Sequence, residues 1–345
     1  MEEQDGDNKQ LIQEEIEKQQ NRKDQYKDME KQLKESGESQ ISTSDPESRQ
    51  MIIRNNITEV AYNVQTTVDA KHNLPIDYKV TNQNDSKAMG NMVQRAKSIL
   101  GTNDFTALYD KGYHTGSEFK TADNLGIEVM VAIPGIASQA PNPEYNVDQF
   151  TYNPSEDTYT CPQGNTLTTP GTWHKTRTYH FKRYTTSACK SCPVKDQCTN
   201  AKYGKGIQRS EYQEYINKNK ERIEQNQNYY RRRQAIAEHP YGTIKRQWGF
   251  SYIQTKKFMS RASADVGLMF IAYTIRRIMN ILDKDEFKKY LKEVVLLFSG
   301  QIHKISLHMN LSDISGFLGK TYQSIFNCLL KRLIFNQKIL NPVGY

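Results

Sequence analysis

The stretch "FTALYDKGYHTGSEFKTADNLGIEVMVAIP", residues 105–134, decides the fold. It opens on a short apolar run, Phe105 to Tyr109, that suits a buried strand and stops at Asp110. Glycine and polar residues supply a turn, a short helix is expected from Ser117, and the second apolar run "IEVMVAIP" (127–134) reads as another strand. Strand, helix, strand is the repeating unit of an α/β sheet. Upstream, "EVAYNVQTTVDAKHNLPIDYKVTNQ" (59–83) predicts two strands, Val60 to Asp69 and Leu74 to Thr81, joined by a hairpin across "AKHN". Between hairpin and strand, "DSKAMGNMVQRAKSIL" (85–100) predicts a helix. Its apolar positions Ala88, Met92, Ala96 and Leu100 recur every four residues, and Gly101 stops it.

Outward from this centre the texture changes. Residues 1–40 are rich in Glu, Gln and Lys, which predicts a charged helical arm, and "ESGESQISTSDPES" (35–48) reads as a linker. Residues 41–143 form the first part of the α/β domain, 144–210 a Tyr-, Thr- and Pro-rich insert, and 211–295 a helical part. Within the last, helix is expected up to about Ala237 and again over 263–295; residues 296–345 are a basic tail. The 345 residues are 36% hydrophobic with a net charge of +8. Residues 1–48 alone carry −7, which leaves +15 on the remainder. An excess of that size favours a polyanionic partner, nucleic acid first. No run of 18 apolar residues occurs and the start is acidic, so no membrane partner and a cytoplasmic location are expected.

Four of the five cysteines, Cys161, Cys189, Cys192 and Cys198, follow the spacing C-x27-C-x2-C-x5-C inside the insert. Four soft thiolates suit a structural Zn2+ in a zinc-ribbon-like fold, stabilising a segment too small to form its own core. Separate reduced cysteines and a redox Cys189-Lys-Ser-Cys192 pair are the other readings. Cys328 reads as core filler.

Two acids suggest chemistry. Asp110, at a strand end, is held rigidly yet open to solvent, as a hard Mg2+ ion requires of a ligand, although strand-end aspartates also serve as turn formers and caps. In "YYRRRQAIAEHPYGTIKRQWGF" (229–250), Glu238 follows Tyr230 and Arg233 and precedes Lys245, so cations stand beside an acid. Such cations suit DNA phosphates while the glutamate reaches a metal. An ordinary basic helix with one glutamate is the alternative.

The ordered set "STSDPESRQM", "YNVQTTVD", "YDKGYHTG", the four-cysteine insert and "EHPYGTIKRQWGF" resembles bacterial insertion-sequence transposases with a DDE catalytic domain, over about residues 10–283. The resemblance implies an RNase H-like mixed sheet flanked by helices, with two Asp and one Glu holding Mg2+ or Mn2+. Asp110 would be the second aspartate and Glu238 the glutamate. Tyr230, Arg233 and Lys245 match the family's Tyr-Arg-Glu-Lys signature, with one extra residue between Arg233 and Glu238. DNA, as element ends and target, is the implied partner. The family's first aspartate lies in an Asp-Gly-Thr stretch, which occurs nowhere here. Asp69 is a weak substitute beside a hairpin turn, and Asp123, Asp148 and Asp157 have no better claim. A truncated transposase is therefore expected, lacking its first strand and inactive alone. In such a chain Val60–Asp69 would re-pair with Phe105–Tyr109, or another chain would supply the strand, through a homo-oligomer or a complementing transposase fragment, or the product would be poorly folded. Two further classes stay open: a non-catalytic zinc-containing DNA-binding protein, and an interaction module that pairs through its arm.

Overall fold

The computed structural model describes residues 2–52, 57–136, 139–252, 257–289 and 292; side chains are described from Leu11 onward. Helix α1, Glu2–Ser36, is the charged arm. Its described side chains are exposed except Met29 and Leu33, which are half-buried. Pairs one turn apart, such as Lys34 with Glu30 at 2.7 Å, lace its surface. Gly37 ends it at φ 66°, a left-handed conformation that a side chain would strain.

Strands β1 (Arg49–Ile52) and β2 (Thr58–Ala61) pair antiparallel, a hairpin that the sequence reading did not expect. Val60 therefore belongs to β2, and the predicted strand Val60–Asp69 begins only at Asn63. Strands β3 (Asn63–Val68) and β4 (Pro75–Thr81) form the expected hairpin, with the register slipping at Thr67/Val68. Its turn uses Asp69, whose Oδ2 accepts from the His72 N–H at 2.6 Å, and Asn73 at φ 55°.

A 3-10 turn, Asp85–Lys87, leads into α2 (Met89–Leu100), which Gly101 closes at φ 73° as predicted. The buried face is Met89, Met92, Val93 and Ala96, a stripe with the i, i+3, i+4, i+7 spacing and not the strict four-residue repeat. Strand β5 (Thr106–Tyr109), helix α3 (Gly116–Asn124) and strand β6 (Glu128–Val131) follow, with β5 and β6 parallel. Met89, Val93, Phe119, Ala122, Val129 and Val131 make one core beneath them.

The insert holds two three-stranded antiparallel sheets. The first joins β7 (Thr151–Asn153), β8 (Thr158–Thr160) and β9 (Thr166–Leu167). The second joins β10 (Trp173–Lys175), β11 (His180–Tyr184) and β12 (Ile207–Ser210), and a Thr168–Thr185 bridge links the two. Phe150, Tyr159, Leu167, Tyr184 and Ile207 pack between them. This corrects the expectation that the insert cannot build a core: three tyrosines and their neighbours supply one, with Cys161 and Cys198 at its edge.

The short α4 (Lys195–Cys198) is followed, after β12, by α5 (Gln213–Gln225) and α6 (Gln227–Tyr241). Asn226 separates the two, its side chain donating to the Arg222 carbonyl at 3.0 Å. Helix α6 runs four residues past the expected end at Ala237 and contains Pro240. Proline removes one helical N–H, and the chain answers by widening into the π-turns Gly242–Gln247. Helix α7, Met259–Ile281, starts earlier and ends well before the expected 263–295. Leu282 is extended, and the Asp283 carboxylate takes the N–H groups of Asp285 and Glu286 to begin a new turn. Against β4, α7 builds a second core from Val80, Ile244, Ala262, Val266, Phe270 and Tyr273. Cys328 and the tail lie outside the described residues.

Strands β3–β4 and β5–β6 are separate two-stranded sheets that share no ladder among the described residues, so the expected re-pairing of 60–69 with 105–109 does not occur. Side chains join them instead. The Tyr113 hydroxyl donates to Gln65, whose amide donates at 2.7 Å to Asp85. Asn63 donates to the same Asp85 oxygen at 2.7 Å.

Candidate active site

Asp110 follows the last residue of β5 and caps the 3-10 turn Lys111–Tyr113, its Oδ1 accepting from the Gly112 N–H at 2.8 Å. Oδ2 has no hydrogen bond among the described residues. The two readings of a strand-end aspartate are thus compatible: one oxygen caps, the other remains available. Gly112 stands where a Cβ would approach Asp110 Oδ1 to 3.0 Å and Asp85 Oδ2 to 3.2 Å, so a second carboxylate lies close to the first. Asp85 was not in the predicted site. Nothing in its sequence position, at the start of a predicted helix, signals this; its closeness to Asp110 appears only in the tertiary structure.

Helix α6 crosses this region as a strut. Near its start, the Tyr230 hydroxyl donates to the Tyr109 carbonyl at 2.6 Å, immediately before Asp110. At its end, the Tyr241 hydroxyl donates to the Val64 carbonyl at 3.0 Å and contacts Thr66 Oγ1 at 2.6 Å. One helix therefore ties β5 to β3 across the gap between the sheets. Burial raises the Tyr230 pKa, with Arg233 opposing and the Asp110 charge reinforcing the shift, so Tyr230, Arg233 and Asp110 share one electrostatic neighbourhood. Burial likewise pushes Tyr241 up to about 12.

Glu238 lies between the two anchors. It is exposed, and its carboxylate has no hydrogen bond or ion pair among the described residues. Eight residues of helix separate it from Tyr230, about 12 Å along the axis. Lys245 is in the π-turns, its ammonium 5.1 Å from the Tyr241 ring centroid. A hollow of about 150 Å3 between the end of α6 and α7 is lined by His239, Thr243, Arg276, Arg277 and Asn280 among others; Glu238 is not part of its lining. The structure thus brings Tyr230 to the carbonyl just before Asp110, with Arg233 beside Tyr230, and sets Glu238 farther along the same helix. Asp69 is committed to its hairpin turn, Asp123 to Lys218 at 3.3 Å, and Asp157 to Lys182 at 2.6 Å; Asp148 is exposed.

The four cysteines Cys161, Cys189, Cys192 and Cys198 line one small cavity of about 20 Å3. Gly204 closes over it, where any Cβ would stand 2.3 Å from that of Cys189. Burial raises the Cys198 thiol pKa, the other three thiols add to the shift, and Lys205 opposes it. Four thiols converging here are the donor set that zinc binds once they are ionised. As they stand, no group of three or more His, Cys, Asp and Glu side chains among the described residues is arranged to hold a metal ion.

The fold and the site define a class: an α/β protein in which a strand-end carboxylate meets an arginine-rich helix carrying a second acid. Residues 160–279 match the family model described as Transposase DDE domain, which identifies that part of the chain as a DDE transposase domain. The match contains Tyr230, Arg233, Glu238, Lys245 and the four cysteines, and Asp110 lies upstream of it. No curated protein and no solved structure matches the chain. No helix among the described residues is long and apolar enough to cross a membrane.

Proposed function

We propose that this chain forms the catalytic domain of an insertion-sequence DDE transposase, with Asp110 and Glu238 as two of three carboxylates for divalent metal. The observation that carries the reading is the Tyr230–Tyr109 hydrogen bond, which fixes the arginine-rich helix against the strand end bearing Asp110. Bound Mg2+ or Mn2+ would activate the attacking oxygen and stabilise the leaving oxygen of a phosphodiester. Asp110 has an open oxygen for that task, and Glu238 is unpaired and exposed. Arg233 and Lys245 would hold DNA phosphates on either side, while Tyr230 positions the helix.

An RNase H-like arrangement is supported by the strand order. In that arrangement a central strand would lie between β4–β3 and β5–β6, two pairs that share no ladder among the described residues. No Asp-Gly-Thr occurs in the sequence, so the third carboxylate has no motif here. The insert's four thiols would take Zn2+ as a structural ion.

The decisive experiment is a cleavage and strand-transfer assay with Mn2+. The chain alone is expected to be inactive, and adding a polypeptide bearing the Asp-Gly-Thr strand should yield cleavage that Asp110→Asn or Glu238→Gln abolishes. Robust cleavage by the chain alone that vanishes on Asp69→Ala would show the first ligand to be Asp69. Zinc is read separately: the purified chain should carry about one ion, and Co2+ exchange should give thiolate charge-transfer bands that Cys192→Ser weakens.

A further inference from the structure

The insert contains a feature that the metal sites do not use. Between residues 158 and 195 the chain has six Lys or Arg and no Asp or Glu. Four of the six fall on the β10–β11 ribbon: Lys175, Arg177, Lys182 and Arg183. The ribbon's pairing puts Trp173, Lys182, Lys175 and His180 on one face. His174 and Phe181 occupy the other, with Arg183 two residues along from Phe181. Only the root of the ribbon is buried: Tyr184 is covered, whereas Trp173 remains 50% exposed.

The acids that reach this ribbon are accounted for. Asp157 takes Lys182 at 2.6 Å, and Glu211 takes the His180 ring at 3.1 Å. Lys175, Arg177 and Arg183 are exposed and have no ion pair among the described residues. Arg177 sits at the tip, in a turn closed by the Thr176 N–H to the Tyr179 carbonyl at 2.8 Å, so its charge is carried on ordered backbone. The β10–β11 hairpin forms the edge of the three-stranded sheet β10-β11-β12, and its exposed cations and exposed indole are the chemistry that a duplex groove and its flanking phosphates attract. Its base is tied to the candidate active site. Just after β12, Tyr212 stands against Gly116 at the start of α3, where a Cβ would come within 2.6 Å of it.

We propose that the β10–β11 ribbon is a separate duplex-DNA contact, with Lys175, Arg177 and Arg183 on backbone phosphates and Trp173 against the groove wall. The choice of DNA among polyanions rests on the transposase reading; the ribbon's binding role does not depend on Asp110 or Glu238.

The test is fluorescence anisotropy of the full chain with a labelled duplex of about 30 base pairs between about 50 and 200 mM salt. Converting Lys175, Arg177 and Arg183 together to Gln should make the slope of log K against log salt shallower by about 2 to 3 and weaken binding at least tenfold. The charge-keeping set Lys175→Arg, Arg177→Lys and Arg183→Lys should retain the slope. DNA should alter the indole fluorescence, and Trp173→Phe should remove that change. An unchanged slope in the Gln variant, or equal loss in the charge-keeping set, would overturn the proposal. Tighter binding to duplex RNA of the same sequence would overturn the choice of DNA. Binding that depends on the ribbon, with no metal-dependent cleavage even after a polypeptide bearing the Asp-Gly-Thr strand is added, would sink the transposase reading and leave the ribbon standing; the reverse pattern separates them the other way.

Discussion

Asn219 carries no charge and no reactive atom, yet it terminates a sheet. Fully buried on α5, its Oδ1 accepts from the Val131 N–H at 2.8 Å and its Nδ2 donates to the Val131 carbonyl at 2.9 Å. One amide thus replaces the neighbouring strand that β6 lacks. Asn219→Leu would strand two buried backbone groups, and urea unfolding should show a loss of about 2–4 kcal/mol. In the insert, Asp157 gathers Lys182 at 2.6 Å, Tyr184 at 2.5 Å and Tyr152 at 2.9 Å. The Lys182 bond leads in lowering its pKa from 3.8 to about 2. A carboxylate with a depressed folded pKa stabilises above its unfolded value, and that contribution fades as pH falls through the folded one. The insert's melting temperature should therefore drop between pH 3.8 and about 2, and Asp157→Asn should flatten that part of the curve.

At the scale of elements, α6 is a strut pinned at both ends by tyrosine hydroxyls on strand carbonyls. Removing the Tyr230 hydroxyl with Tyr230→Phe is expected to cost about 1 kcal/mol. Hydrogen exchange should then quicken in the first turns of α6 while α7 stays protected. Helix α7 has its own fastening: Glu47 Oε2 accepts from the Met259 N–H at 2.6 Å, and the Asp45 carboxylate from the Phe258 N–H at 3.3 Å. Residues 35–48, which read as a linker, thus cap a helix more than two hundred positions away. This contrast marks what was legible. The β3–β4 hairpin, the closure of α2 at Gly101 and the strand ending at Asp110 follow from local turn chemistry and apolar period, and they stand close to where the sequence puts them. Asp85, Asn219 and Glu47 were missed because their partners are distant in sequence, and no local pattern separates a capping or turn acid from one aimed at another element.

At the scale of the whole molecule, two small sheets stand side by side without a shared ladder, and Gln65 is the side chain most committed to joining them. It is 2% exposed, donates to Asp85 and accepts from Tyr113. Backbone ladders distribute their strength over many bonds, whereas a joint of this kind concentrates it in a few buried polar atoms. Gln65→Leu would leave the Tyr113 hydroxyl without its acceptor and Asp85 with Asn63 alone, while the α6 strut would still span the gap. The expected result is a loss of about 2–4 kcal/mol. Exchange protection should fall along β3 and in the Asp110–Tyr113 turn together, since the same amide fixes both. Protection that fell in β3 alone would mean that the Asp110 turn is held from its own side, by α3 and α6, and that the two sheets do not act as one support for the site.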